Sequence, residues 1–524
     1  MSSTRATDPF LELRDPAAGE RLARRAGHAG GEAVAEMCRS VARFCRERLA
    51  SPAGPARSLP ELRGELAALG LFGLTSPVGH GGVGLGPGAV AEILGEVARH
   101  DLSLATTLGV HNGLGLAALL ERGTPEQQAR FLPAIARGDA LVACALTEPG
   151  AGSDLAGVQT QAVARGGGAL VLDGEKCFIT NGAWARWAAV LAVTPGLGES
   201  RWSLLFVDLD APGVTRGREE RKLGLHGSST VSLRFEGVEV PVDHVLGAPG
   251  LGLELVQRSL AWGRLLLAAG AAGAVRTAID VARRHVQTRR RRDRPLLELP
   301  LVAARVARAE AGLEAMETLV RAAAFAVAGE TSAASTLWVT SVAKVICSEL
   351  AWSTCDGMLG LLGGLGYLEE GGLAGRLCDL RVARIFEGPN EALRGQLAGL
   401  LVRWSAPLRR LPPLSIRCPD LAALAGPIDR EIAALARVVA EQAAARGTAL
   451  LSAQLDADRL AEAGAWLYAA AALLARRDAE ARQAPPDRRT VARAHLFCGG
   501  AVERAAACLA RVPAGEDSWI GDAL

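Results

Sequence analysis

A multidomain α+β protein is predicted by three observations. Apolar residues recur at helical spacing in two long regions, a stretch of short alternating runs lies between them, and 524 residues need more than one core. Residues 1–140 read as a helical domain, with apolar positions three and four apart in 59–70 and 89–99. The glycine-rich GHGGVGLGPG (79–88) breaks that pattern. Residues 141–248 read as a β domain, because ALVLDGEKCFITNG, AAVLAVT, WSLLFVDL and TVSLRFEGVEV alternate and end in turn residues. Helical runs return over 249–405, broken at Arg294-Pro295, GGLGY (363–367) and EGPNE (387–391). PLRRLPPLSIRCPD (407–420) reads as a linker to an extra helical domain over 420–524, with helices near 427–446, 456–483 and 487–511.

Hydrophobic residues at 49%, charged residues at 22% and a net charge of +2 describe a globular chain, and no domain-wide basic excess points to nucleic acid. Lysine occurs only at 176, 222 and 344, which reads as compositional bias. The ten cysteines show no CxxC pair and no metal-ligand spacing, so buried free thiols and no metal are expected. MSSTRATDPFLELRD lacks the apolar core of a secretory signal, and no uncharged apolar run reaches about 18 to 20 residues. A cytoplasmic protein is the expectation.

Chemistry is densest in ALTEPGAGSDLAG (145–157) and GEKCFITNGA (174–183). Thr147, Ser153 and Thr180 are small hydroxyl donors on backbone stiffened by Gly and Pro. Such loops can set N–H and O–H groups around a planar, acceptor-rich ring or a phosphate. Two plain hairpin turns are the alternative for either loop alone. His111-Asn112 reads as a satisfied core pair before a channel pair, and Trp184 and Trp187 as packing residues. The 79–88 stretch lacks the lysine and spacing of a phosphate loop.

These loops stand in a longer series: ALGLFGLTSPVGHGGVGLG (68–86), LGVHN (108–112), GTPEQQARFLPAIARGD (123–139), KLGLHGSST (222–230), FEGVEVPVDHVLG (235–247) and DLRVARIFEGPNEALR (379–394). In that order, over almost the whole length, they resemble the acyl-CoA dehydrogenase family. DRLAEAGAWLYAAAALLARRDAE (458–480) resembles the additional C-terminal helices of its very-long-chain branch. The resemblance implies an antiparallel β-barrel-like middle domain, a C-terminal four-helix bundle, and FAD between them with help from a second subunit. It implies α,β-dehydrogenation of an acyl thioester, medium-to-long acyl-CoA, with an electron-transferring flavoprotein as acceptor.

By position, the resemblance implies Leu146, Thr147, Ser153, Phe178, Thr180, Arg289, Gly363, Gly364 and Gly388 as cofactor contacts. It implies Ser153, Arg264, Glu387 and Gly388 as substrate contacts, with Glu387 the catalytic base. Physics supports that role, since a weakly acidic α-proton needs a carboxylate in hydrogen-bond reach and the enolate needs donors. Val382, Ile385 and Phe386 would desolvate the carboxyl and raise its affinity for protons. A structural glutamate in a Gly-Pro turn is the plainer local reading. Some branches place the base just before the arginine matching Arg264; here that residue is Gly263, which cannot serve. The extra helices imply a homodimer. The branch also touches membranes there, but Leu460, Trp466, Leu467, Leu473 and Leu474 fit helix packing at least as well.

Arg292 and Asp293, Pro300, Gly360 and Pro389 depart from the family pattern, all where it serves the adenylate half of FAD. Two lost neutral partners would cost roughly 0.5–1.5 kcal/mol each. The 289–292 arginines either compensate at the pyrophosphate or form a solvated helix face. The expectation is FAD binding that is weak or uses a rearranged dinucleotide pocket. Alternatives are a dehydrogenase of acyl chains tethered to a carrier protein and a non-catalytic assembly protein. A flavin monooxygenase of the same fold is disfavoured, because those usually lack this glutamate.

Overall fold

The computed structural model describes residues 8–23, 31–49, 59–447 and 449–512. It divides into Glu32–Ala274 and a second unit made of the residues up to Gly31 with Val275–Leu524. Residues 1–7 of the segment read for a secretory signal, and 513–524 of the extra helical domain, lie outside the described residues.

In the unit Glu32–Ala274, helices Leu59–Ala68, Pro87–His100, Leu102–Gly109 and Pro125–Ala136 precede the sheet. Their starts are written locally. Pro87 and Pro125 occupy first turns, Asp101 accepts from the Leu104 amide at 2.9 Å, and Thr124 with Gln127 forms a reciprocal capping box. The strands are β1 (Leu141–Ala145), β2 (Gln161–Arg165), β3 (Ala169–Thr180), β4 (Ala185–Val193), β5 (Trp202–Asp208), β6 (Val214–Arg216) and β7 (Thr230–Pro241). Their order is β1-β4-β2-β3-β7-β6, with β5 on β4. The expected antiparallel pairing holds for β2–β3, β3–β7, β4–β5 and β6–β7. By contrast β1 runs parallel to β4, because the intervening β2–β3 hairpin supplies the long crossover a parallel pair requires. Phe131 packs at 4.8 Å from the Trp187 ring and 5.0 Å from Phe206, seating helix Pro125–Ala136 on β4 and β5.

The second unit is helical. Its long members are Pro300–Phe325, Ala333–Leu361, Asn390–Arg403, Ala425–Arg446, Gln454–Ala481 and Arg488–Arg511, with the end of Gly252–Thr288. Gln454–Ala481 is its hub. Leu460, Trp466, Leu467, Leu473 and Leu474 are all buried, so these apolar side chains pack inward. Arg493 reaches Glu310 at 2.6 Å and Glu314 at 2.9 Å, joining Arg488–Arg511 to Pro300–Phe325. Helices Pro9–Glu12 and Pro16–Ala23 belong here too. Phe10 lies 5.6 Å from both the Trp338 and Tyr468 rings. Gly19 approaches so closely that an added Cβ would meet the Ala475 carbonyl oxygen at 2.5 Å.

Two helical stretches, Leu102–Arg122 and Gly252–Thr288, are long and apolar enough to cross a membrane. Each carries at most two charges in its most apolar part, and 89% and 72% of those parts are buried in the fold, as in core helices. All ten cysteines are free, seven buried and three half-buried.

Candidate active site

In the sheet-bearing unit the two predicted loops are joined. The Cys177 amide donates to the Thr147 carbonyl at 2.9 Å, which puts the Leu146-Thr147 turn beside the end of β3. A register shift between Lys176 and Ile179 lifts Phe178 out of the ladder with φ +59°, leaving its ring 68% exposed. Thr147 and Thr180 are half-buried beside it, and Ser153 is exposed. Asn181, also left-handed at φ +67°, holds the turn by donating to the carbonyls of Thr107 (3.0 Å) and Val142 (3.2 Å).

Beneath the first loop lies a feature that the sequence did not reveal. The Glu148 carboxylate accepts from the Gln159 amide (2.7 Å), the Thr160 amide (2.9 Å) and the Lys176 ammonium (2.8 Å). Lys176, fully buried, also donates to the Leu146 carbonyl at 3.0 Å. Burial pushes the Glu148 carboxyl up, but Lys176 and the Thr160 and Gln159 donors outweigh it and hold the group below the usual carboxylate range. The loop is thus braced from inside, leaving hydroxyls and a ring outside. A flavin ring, planar on its faces and acceptor-rich at its edge, fits that surface.

His111 and Asn112 are core residues. The Val142 amide donates to Nδ1 of His111 at 3.2 Å and Nε2 donates to the Phe72 carbonyl at 3.0 Å, fixing the neutral tautomer. Burial pushes the imidazole down to about 4. Arg264 is only 2% exposed, so a phosphate contact from it requires the carrier to enter the interior.

In the helical unit, helix Ala374–Arg381 runs into a turn over Val382–Arg384 and ends at Ile385 and Phe386. Glu387 then takes φ +58° and Gly388 φ +93° before Pro389 starts helix Asn390–Arg403. A non-glycine residue held left-handed costs on the order of 1–3 kcal/mol and persists only where its surroundings impose it. Here they do. Lys344 donates to the Gly388 carbonyl and to Oδ1 of Asn390, both at 2.7 Å. Asn390 donates to Ser348 (3.0 Å) and Glu349 (2.7 Å), and Arg384 donates to Glu349 at 3.0 Å. Glu387 is half-buried, with its Oε2 withdrawn from solvent.

The residues assigned to the dinucleotide end lie in this same unit. Gly363 is left-handed at φ +61°, and nothing lies within 4 Å of a Cβ added at Gly363 or Gly364, so both present open backbone. Arg289 is exposed. The arginine run is not a helix face: the helix ends at Thr288, and Arg290–Arg291 pairs with Arg294–Pro295 in a two-residue hairpin with Arg292 left-handed at its tip. Pro389 serves as the residue before a helix, where its fixed φ suits and its missing N–H matters least. Among the described residues no group of three or more His, Cys, Asp or Glu could hold a metal ion.

Helical residues, a curled mixed sheet and a helical bundle carrying a glutamate on a left-handed turn define a class, and three family models recognise it. They describe the acyl-CoA dehydrogenase N-terminal domain over residues 32–139, middle domain over 143–238 and C-terminal domain over 250–401. The chain belongs to the acyl-CoA dehydrogenase family. It is 34% identical over 338 residues to the human mitochondrial very long-chain specific acyl-CoA dehydrogenase, matching 63% of this chain and 51% of that protein. The chain thus spans about half the length of such relatives. It is 32% identical to cyclohexane-1-carbonyl-CoA dehydrogenase of Geobacter metallireducens, over 72% of this chain and 99% of that one. Among solved structures, an acyl-CoA dehydrogenase from Bacillus anthracis complexed with FAD matches with TM-score 0.82 and 27% identity, over 92% of this chain and 88% of that one.

Proposed function

We propose that the protein is an oxidoreductase that introduces an α,β double bond into an acyl-coenzyme A thioester of medium to long chain, with Glu387 as base and FAD as cofactor. One observation carries the reading: Glu387 stands on an imposed left-handed turn with a carboxylate oxygen withdrawn from water. A surface glutamate in an ordinary turn needs neither. The flavin ring of FAD would rest on Leu146, Thr147, Phe178 and Thr180; the family resemblance adds Arg289, Gly363 and Gly364 as contacts of its dinucleotide part. When bound, it supplies the acceptor for the hydride that leaves the β-carbon. Glu387 takes the α-proton, which its carboxylate can do only from within hydrogen-bond reach of the α-carbon. Ser153, which is exposed, would meet the thioester carrier.

A homodimer that delivers electrons to an electron-transferring flavoprotein completes the proposal. Support for an acyl-CoA rather than a carrier-protein substrate comes from the coenzyme A dehydrogenases among its relatives. Glu387→Gln tests the base. In deuterated water the wild type should exchange the α-protons of a bound acyl-CoA, and the variant should lose at least about 100-fold of that rate while still binding it. Equal exchange in both removes Glu387 from the role. A higher kcat/KM on the same acyl group carried by acyl carrier protein would assign the tethered substrate instead.

A further inference from the structure

The three lysines among 58 basic residues have one thing in common. Lys176 donates to the Leu146 carbonyl, Lys222 to the Ser228 carbonyl at 2.7 Å, and Lys344 to the Gly388 carbonyl, each bracing a loop from below. Arginine fills almost every other cationic position, so these are sites where its planar fork does not do. A buried ammonium directs three donors tetrahedrally from one small atom and can bind two converging oxygens in little space.

We infer that Lys344 is the positioning residue for Glu387, a role that rests on the proposed dehydrogenation. Lys344 is fully buried and reaches Gly388, directly after Glu387, and Asn390, two residues beyond it. Asn390 passes the restraint to Ser348 and Glu349, and Glu349 also holds Arg384, three residues before Glu387. Both ends of the turn are therefore clamped to one rigid element, helix Ala333–Leu361. The anchor grips the Gly388 carbonyl and the Asn390 and Arg384 side chains on either side of the base, and so fixes the direction in which the carboxylate leaves the turn. Lys344 and Asn390 have no exposed surface, so neither can serve as a landing point for substrate.

The test is Lys344→Met in the full-length, flavin-loaded protein, which keeps the stem and removes the donors. With octanoyl- and palmitoyl-coenzyme A, kcat should fall about 10- to 100-fold while KM moves less than about threefold, the signature of a misdirected base. Amide exchange across residues 385–391 should speed up at least about tenfold, with amides of the sheet unchanged. A flavin-loaded variant with wild-type kcat, or with wild-type exchange across the turn, overturns the inference. If Lys344→Met does not fold, Asn390→Ser takes its place with the same two readouts. If the wild type oxidises no thioester, the functional reading fails on its own, and exchange across the turn alone decides whether Lys344 anchors it.

Discussion

At the scale of single residues, Lys176 and Glu148 show how a functional loop is held without a visible signature. Removing one partner of a buried, hydrogen-bonded pair leaves a charge without compensation. Lys176→Met should therefore destabilise the protein by about 3–5 kcal/mol, and Lys176→Met with Glu148→Leu should lose less than the single change. Chemical unfolding of both variants checks this, and equal losses would remove the pair from the role given to it. His111 makes a pH prediction. Its unfolded imidazole takes a proton near 6.5, whereas the buried ring resists protonation down to about 4. The unfolded state thus binds more protons in between, so stability present above about 6.5 is lost as pH falls toward 4. His111→Gln should flatten that part of the stability–pH curve; an unchanged slope would assign acid lability elsewhere. The sequence shows Glu387, Thr147, Phe178 and Thr180 through their motifs. It does not show their anchors, since Glu148–Lys176 and Lys344–Gly388 pair residues 28 and 44 positions apart. The scarcity of lysine was the available signal, and it reads as bias until the contacts are seen.

At the scale of elements, helix starts and turns were legible because they depend on near neighbours. Thr124-Pro125-x-Gln127 caps its helix as its pattern says. Elements decided by distant contacts were not. Periodicity places residues 8–23 with the N-terminal helices, yet Gly19 lies against Ala475, and helix Pro16–Ala23 belongs with Gln454–Ala481. Gly19→Ala tests that docking: a methyl forced against backbone has no flexible side chain to displace. A loss of about 1–3 kcal/mol is expected, read as a lower Tm together with faster proteolysis near residue 23. A variant as stable as the wild type would show that the packing is looser than the structure has it. The arginine run is a further case, where a pattern compatible with a helix face becomes a hairpin once the helix ends at Thr288.

For the whole molecule, the order of helices, sheet and helices was readable from texture, because periodicities of two and 3.6 residues differ over long stretches. The parallel β1–β4 pairing was not, since it depends on how the β2–β3 hairpin folds between them. The proposed function draws on a ring-and-hydroxyl surface and on a constrained carboxylate, each described within its own unit. Arg292, Pro300, Gly360 and Pro389 depart from the family pattern in the segments that the proposed site assigns to the dinucleotide part of FAD. FAD should accordingly bind more weakly than an unaltered adenylate site would allow, by one to two orders of magnitude for about 1.4–2.8 kcal/mol of lost contacts. Fluorescence titration of the flavin-free protein measures it, and nanomolar affinity would show that the 289–292 arginines or other groups compensate. The most direct measurement of the central claim is the visible spectrum of the FAD-loaded protein, mixed without oxygen with butyryl-, octanoyl- and palmitoyl-coenzyme A. The expected result is a flavin band that at least one thioester bleaches in the wild type and none bleaches in Glu387→Gln. A protein that takes up no FAD, or a Glu387→Gln variant that bleaches as fast as the wild type, would contradict it.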